Sequence, residues 1–241
     1  MTGSARLLSV RDVSVDYRLG SSRVLRAVKG ATFDVDRGEI FGIIGESGSG
    51  KSSLGRAIVG LVRSTGGGIL HDGADVAGLD REAFSRYRRD FGYIYQDPNA
   101  ALNPRMRIGV SVREPLDILG ELSMEQRNRL VREELERVGL GPEYAMRYPH
   151  ELSGGQKQRV NIARALIVKP RLLVCDEVVA ALDVSIQADV LNLFLDLQRD
   201  LNLAYVFISH DLRVVAHVSD RVAVMYLGKI VEIGDSAVLL N

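Results

Sequence analysis

The chain is poor in cysteine, carries no excess of charge of either sign and has no long apolar run. Its one cysteine, Cys175, cannot close an internal disulfide, so the compartment reads as reduced and cytosolic. Basic and acidic side chains number 31 each, for a formal net charge of zero. A protein that grips nucleic-acid phosphates usually carries a basic excess, so nucleic acid is not expected as a partner. No stretch reaches the ~18 apolar residues of a membrane-spanning helix. The most apolar short run, residues 201–208, is broken by Asn202. Residues 1–10 lack the apolar core of a secretion signal. There is no internal repeat and no low-complexity tract. What remains is an average globular composition, 46% hydrophobic and 26% charged, which excludes a disordered chain. With 241 residues there is enough chain for one large domain with an inserted subdomain.

The hydrophobic pattern changes along the chain. Leu8, Val10, Val13, Val15 and Tyr17, then Ala31, Phe33 and Val35, roughly alternate with polar residues, which predicts strands with one wet face. Residues 40–44 are continuously apolar apart from one glycine, as in a strand buried on both faces. Leu54, Ala57, Ile58, Leu61 and Val62 fall at helical spacing, and Gly66, Gly67 and Gly68 are expected to end that unit. Residues 97–169 read as a helical insertion with its own small core. There Ser123 and Gln126 form a capping-box start, Gly139 a stop, and Leu130, Val131, Leu135 and Val138 one stripe. After Pro170 buried strands return at 172–175 and 204–208, on either side of a long helix from about Val184 to Leu201. A closing strand pair, 222–226 and 230–233, surrounds Gly228. Strands alternating with helices imply a parallel sheet.

Three motifs carry chemistry. GESGSGKS, residues 45–52, has the spacing G-x-x-x-x-G-K-S between a buried strand and an amphipathic helix. Glycines there let backbone N–H groups turn inward around phosphate oxygens, and the helix N-terminus adds positive potential. Lys51 is expected to reach the β- and γ-phosphates and Ser52 to ligate Mg²⁺. LLVCDE, residues 172–177, delivers Asp176 and Glu177 at the C-terminal end of a strand, where open α/β sheets bind ligands. Asp176 would hold Mg²⁺ through water, and Glu177 would orient or deprotonate an attacking water. LSGGQ, residues 152–156, reads both as a capping box and as a second anion site, since two glycines leave the helix N-terminus uncluttered.

The chain resembles the nucleotide-binding subunits of ABC transporters over essentially its whole length. It matches in order the phosphate loop, a glutamine loop at Gln96, the LSGGQ signature, the aspartate–glutamate strand, Ala-Leu-Asp at 181–183 and a switch histidine, His210. YQDPNAALNPR (95–105), YPHELSGGQ (148–156) and ALDVSIQA (181–188) are similar to the ATPases of bacterial dipeptide, oligopeptide and nickel importers. The resemblance implies an α/β fold: a RecA-like P-loop core with a mostly parallel sheet, an N-terminal antiparallel β subdomain and an inserted helical subdomain. As one ABC ATPase domain, 1–96 and 170–241 would form the nucleotide-binding core and 97–169 the helical signature subdomain.

It implies ATP and Mg²⁺ as cofactors, bound by Tyr17 on adenine and by Gly45, Glu46, Ser47, Gly48, Ser49, Gly50, Lys51, Ser52, Ser53 and Gln96. Ser52, Gln96 and Asp176 would serve the metal. Lys51, Glu177 and His210 would be catalytic. Ser153, Gly154, Gly155 and Gln156 would act in trans, with Asp183 in the dimer-contact loop. The implied partners are a second ABC ATPase subunit, identical or similar, transmembrane permease subunits and, indirectly, an extracytoplasmic solute-binding protein. The implied place is the cytoplasmic face of the membrane, and the implied task is energising import of peptides or a similar small solute. Two departures stand out. Val178 occupies a position commonly proline and Ala180 one commonly serine. A regulatory subunit that hydrolyses ATP poorly, or a soluble cassette uncoupled from transport, are the alternative readings. Many relatives continue beyond the point that Asn241 represents, so the sequence reads either as a piece of a longer protein or as a short member of the family.

Overall fold

The computed structural model describes residues 6–20 and 23–240. Part of the absent-leader reading falls on residues 1–5, which lie outside that range. In chain order the elements are β1 (Arg6–Leu19), β2 (Arg23–Asp36), β3 (Ile40–Ile44), α1 (Lys51–Ile58), β4 (Gly66–His71), β5 (Ala74–Asp75), α2 (Arg81–Asp90), β6 (Phe91–Ile94), α3 (Pro98–Ala101), α4 (Ile108–Leu119) and α5 (Met124–Arg137). Then come α6 (Gly154–Leu166), β7 (Leu172–Asp176), α7 (Val184–Leu201), β8 (Ala204–Ser209), α8 (Leu212–Val218), β9 (Arg221–Tyr226), β10 (Lys229–Asp235) and α9 (Ser236–Leu239). These group into two compact units. One holds the chain up to Tyr93, Arg171–Glu177 and everything from Gln198 on; the other holds Ile94–Pro170 and Val178–Leu197.

The first unit contains two sheets. Strands β3, β7 and β8 are buried at every position, and β9 pairs parallel with β3 beside them. Their order is β10-β9-β3-β8-β7-β6, with β10 antiparallel at the edge. Continuous apolar runs suit this setting, because a parallel strand in the middle of a sheet has no wet face. The second sheet, β2-β1-β4-β5, is antiparallel. Val10 and Val13 are three residues apart yet both buried, because a bulge at Asp12 (φ 50°) resets the alternation. The sheets share one apolar core, in which the rings of Phe33 and Phe41 stack with centroids 4.7 Å apart.

Two sequence expectations are corrected here. Helix α1 stops at Ile58, and the N–H of Leu61 donates back to the Arg56 carbonyl at 2.8 Å. Leu61 therefore leaves the apolar stripe and is 42% exposed. The glycines 66–68 do not close the unit but open β4, with Gly68 opposite Arg11 and Gly66 opposite Ser14. A Cβ on Gly67 would meet the Asp12 carbonyl oxygen at 2.2 Å, so glycine there lets two backbones meet across the bulge.

The second unit is helical around the apolar faces of α4, α5 and α6, including Val112, Val131, Leu135 and Val160. Ser123 caps α5: its Oγ accepts from the Gln126 N–H at 3.3 Å, and the Ser123 N–H donates to Gln126 Oε1 at 2.8 Å. Ser123→Ala is expected to cost about 1 kcal/mol, read as an earlier loss of helix signal in a urea titration. An unchanged titration would mean that α5 is held by packing alone.

Candidate functional site

The phosphate loop joins β3 to α1. Gly50 caps the helix at φ 104°, and Gly45 lies at φ 156°. A Cβ on Gly45 would fall 2.1 Å from the Met225 carbonyl oxygen, and one on Gly50 2.1 Å from that of Ala27. Only glycine permits both the dihedral angle and the approach. The turn after β9 clamps the loop from behind: Gly228 N–H donates to the Ser49 carbonyl at 2.9 Å, and Lys29 N–H to the Gly228 carbonyl at 2.7 Å. No side chain caps α1, which leaves its first N–H groups open to an anion. Ser49 Oγ is buried without a protein partner. These are the features of a cradle that fits a polyphosphate.

Lys51 lies beneath this cradle, 4% exposed, and its Nζ donates to the carbonyls of Gly45 at 2.8 Å and Glu46 at 2.9 Å. Burial pushes its pKa down, while the charges of Glu177 and Asp176 pull it back up. Ser52, one residue on, donates to Asp176 Oδ1 at 2.9 Å. Among the described residues no cluster of three or more His, Cys, Asp or Glu could hold a metal. A hydroxyl beside one carboxylate is nonetheless a hard oxygen pair, and Mg²⁺ takes most of its ligands from water and phosphate, so the pair fits it.

Strand β7 brings Asp176 and Glu177 to its C-terminal end. Glu177 sits at φ 49°, a region sparsely used by residues other than glycine, and its N–H is tied to the Ile208 carbonyl at 2.9 Å. This kink turns the Glu177 carboxylate toward His210, whose Nδ1 lies 3.3 Å from Oε2. Both line an open cleft of about 610 Å³ with Gly45, Glu46, Ser47 and Leu212. Tyr17 reaches the same helix from β1, its hydroxyl 3.3 Å from Ser53 Oγ, with its ring against the apolar core. The first unit thus gathers a polyphosphate cradle, a metal-suited oxygen pair and a carboxylate–imidazole pair able to take a proton from water.

The second unit holds the other sequence candidates. Ser153 caps α6 through a reciprocal pair: its Oγ accepts from Gln156 N–H at 3.3 Å, and its N–H donates to Gln156 Oε1 at 3.0 Å. Gln156 Nε2 also donates to the Tyr144 hydroxyl at 3.0 Å. A Cβ on Gly155 would lie 2.5 Å from Ile186 Cγ2, so the glycine keeps α6 close to α7. Gly154 has an exposed backbone at the helix start. Asp183 is exposed just before α7, where its carbonyl accepts from Gln187 N–H at 2.8 Å. Gln96 is exposed two residues after β6. Val178 is buried, and Ala180 is exposed.

One residue of the first unit escaped the sequence reading. Tyr93 donates its hydroxyl to Asp176 Oδ2 at 2.6 Å. Burial, then the adjoining carboxylate, raises its pKa well above the usual phenol range. No local signal marks it, since its partner lies 83 residues away.

Comparison with known proteins places this geometry in a family. The ABC transporter family matches residues 28–180. A Brucella abortus (strain 2308) protein named as a peptide import ATP-binding protein is 50% identical over 234 residues, which cover 96% of this chain and 70% of that protein. A Brucella melitensis protein with the same kind of name is 50% identical over 234 residues, covering 96% of this chain and 62% of its own length. Among solved structures, a dimeric ATP-binding cassette in a post-hydrolysis state with ADP and Pi superposes with a TM-score of 0.84 at 29% identity, covering 95% of this chain and 99% of that one. A Clostridium perfringens protein described as part of an ABC transporter complex gives a TM-score of 0.85 at 27% identity, covering 98% and 90%. The chain belongs to the ABC transporter family and is one of its ATP-hydrolysing cassettes.

Proposed function

We propose that this ATPase drives import of peptides or a similar small solute, working as a dimer with a second cassette beneath transmembrane permease subunits on the cytoplasmic face of the membrane. An extracytoplasmic solute-binding protein would deliver the solute. Peptide import rests on the names of the Brucella relatives. The observation that carries the dimer is the division of the anion-ready groups: the phosphate loop, Glu177 and His210 lie in the first unit, and the capped glycine N-terminus of α6 in the second. One chain's loop and its partner's Ser153, Gly154 and Gly155 would enclose the same ATP, with Gln156 fixing the cap. Asp183 would contact the partner, and Gln96 would sense the metal, the γ-phosphate and the permease.

Within that enclosure the roles follow from donor and acceptor chemistry. Residues 45–53 and Lys51 bind the phosphates, and Tyr17 stacks on adenine. Ser52 and Asp176 would hold Mg²⁺, which would supply positive charge to offset that of the phosphates. Glu177 accepts a proton as the water oxygen bonds to the γ-phosphorus; the bond from that phosphorus to the bridging oxygen breaks, and ADP leaves with the electron pair. His210 steadies the carboxylate and faces the γ-phosphate. Loss of that phosphate removes the trans contacts, and the pair opens.

The test is ATP turnover across a range of protein concentrations. Specific activity is expected to climb with concentration until the dimer saturates. A flat profile from a chain shown to be monomeric by sedimentation sinks the composite site.

A further inference from the structure

We propose that Tyr93 is a positioning residue for the metal, locking the Asp176 carboxylate in the orientation that Mg²⁺ requires. This rests on the reading above that Asp176 and Ser52 serve the metal. Asp176 is 4% exposed, so few waters can complete its hydrogen bonding. Its two oxygens are divided between two hydroxyls: Oδ1 accepts from Ser52 at 2.9 Å and Oδ2 from Tyr93 at 2.6 Å. Ser52 is a metal ligand in this reading, so it moves with the metal. Tyr93 does not, and it is the fixed one of the two donors.

The phenol is itself held in place. The Arg56 guanidinium, on α1, lies beside the Tyr93 phenol and interacts with it electrostatically. The ring lies over Gly55, where a Cβ would come within 3.6 Å of Tyr93 Cε2 and 2.9 Å of both Val174 and Ile208 side chains. A larger residue at 55 would lift α1 off the strands and move the ring. Tyr93, Asp176 and Ser52 are thus joined by hydrogen bonds, with Arg56 beside the phenol, and the metal carboxylate lies between the two hydroxyls. A carboxylate tied at both oxygens presents one fixed lone-pair direction; with Oδ2 released it can rotate about its Cβ–Cγ bond. Partners of this kind, one shell beyond a metal, typically set affinity by 10–100-fold.

The experiment is Mn²⁺ titration by electron paramagnetic resonance, with ADP bound, on the full chain, Tyr93→Phe and Asp176→Asn. Metal-free ADP binding in EDTA is measured alongside. Tyr93→Phe is expected to weaken Mn²⁺ by about 10–100-fold while metal-free ADP binding stays within twofold. Arg56→Gln, which keeps the phenol but loosens it, is expected to weaken Mn²⁺ by less, in the same direction, and it carries the test if Tyr93→Phe does not fold. An Mn²⁺ affinity unchanged in Tyr93→Phe, or in its place Arg56→Gln, but lowered in Asp176→Asn overturns the role of Tyr93 alone. An affinity unchanged in Asp176→Asn overturns the metal reading beneath it. Equal losses of Mn²⁺ and metal-free ADP binding in Tyr93→Phe reduce the tyrosine to a packing residue.

Discussion

Glu177→Gln is expected to lower ATP turnover by about 10²–10⁴-fold while leaving ATP binding in place. The carboxylate is the acceptor best placed for a water proton in the cleft. Its side chain is 16% exposed and faces that opening beside Ser47 and His210. The left-handed backbone at Glu177, tied to Ile208, aims it there at a conformational cost of about 1–3 kcal/mol. Glutamine has the same shape, and its amide oxygen can still meet His210 at the 3.3 Å separation seen for Oε2. It cannot take the proton. Phosphate release and fluorescent-nucleotide binding measured on the same preparation separate the two effects. Turnover within a few-fold of the unaltered protein would remove Glu177 from the role of base.

Lys51→Ala is expected to weaken ATP binding by about 2–5 kcal/mol, or ~30- to several-thousand-fold. The ammonium is buried under the cradle, and its two hydrogen bonds go to the loop's own carbonyls at Gly45 and Glu46. Those carbonyls hold the charge where phosphate oxygens would compete for it. Burial lowers the lysine's pKa and the charges of Glu177 and Asp176 only partly offset this; both carboxylates lose their nearby counter-charge when the lysine is removed. Equilibrium dialysis with a non-hydrolysable ATP analogue gives the affinity, and a thermal melt separates it from loss of fold. An affinity that survives in a folded protein would mean that Lys51 serves the shape of the loop and not its ligand.

Much of the site was legible because its signals are local. The phosphate loop needs eight consecutive residues, 45–52, and its glycines fall where Gly45 and Gly50 meet the carbonyls of Met225 and Ala27. The capping boxes at Ser123 and Ser153 each act over three residues, and both form. Strands β3, β7 and β8 are read from unbroken apolar runs, since burial on both faces leaves nothing to alternate. The long helix expected from about Val184 to Leu201 forms with those bounds.

Other features had no local sign. Gly66, Gly67 and Gly68 have no side chains to display a pattern, and only their pairing with β1 makes them a strand. Leu61 fits the stripe of α1 by spacing, yet the helix ends three residues earlier, at Ile58, and leaves it in water. Ser52 and Tyr93 meet on one carboxylate from sequence separations of 124 and 83 residues, and the strained φ of Glu177 depends on the neighbouring strand β8. The sequence by itself determined the loop, the buried strands, the caps and the family, because periodicity and motif spacing act within a few turns of chain. The tertiary structure decided which side chains share Asp176, where Glu177 points and where α1 stops, because those depend on strands being brought side by side, and loop closure and packing set that across the whole chain.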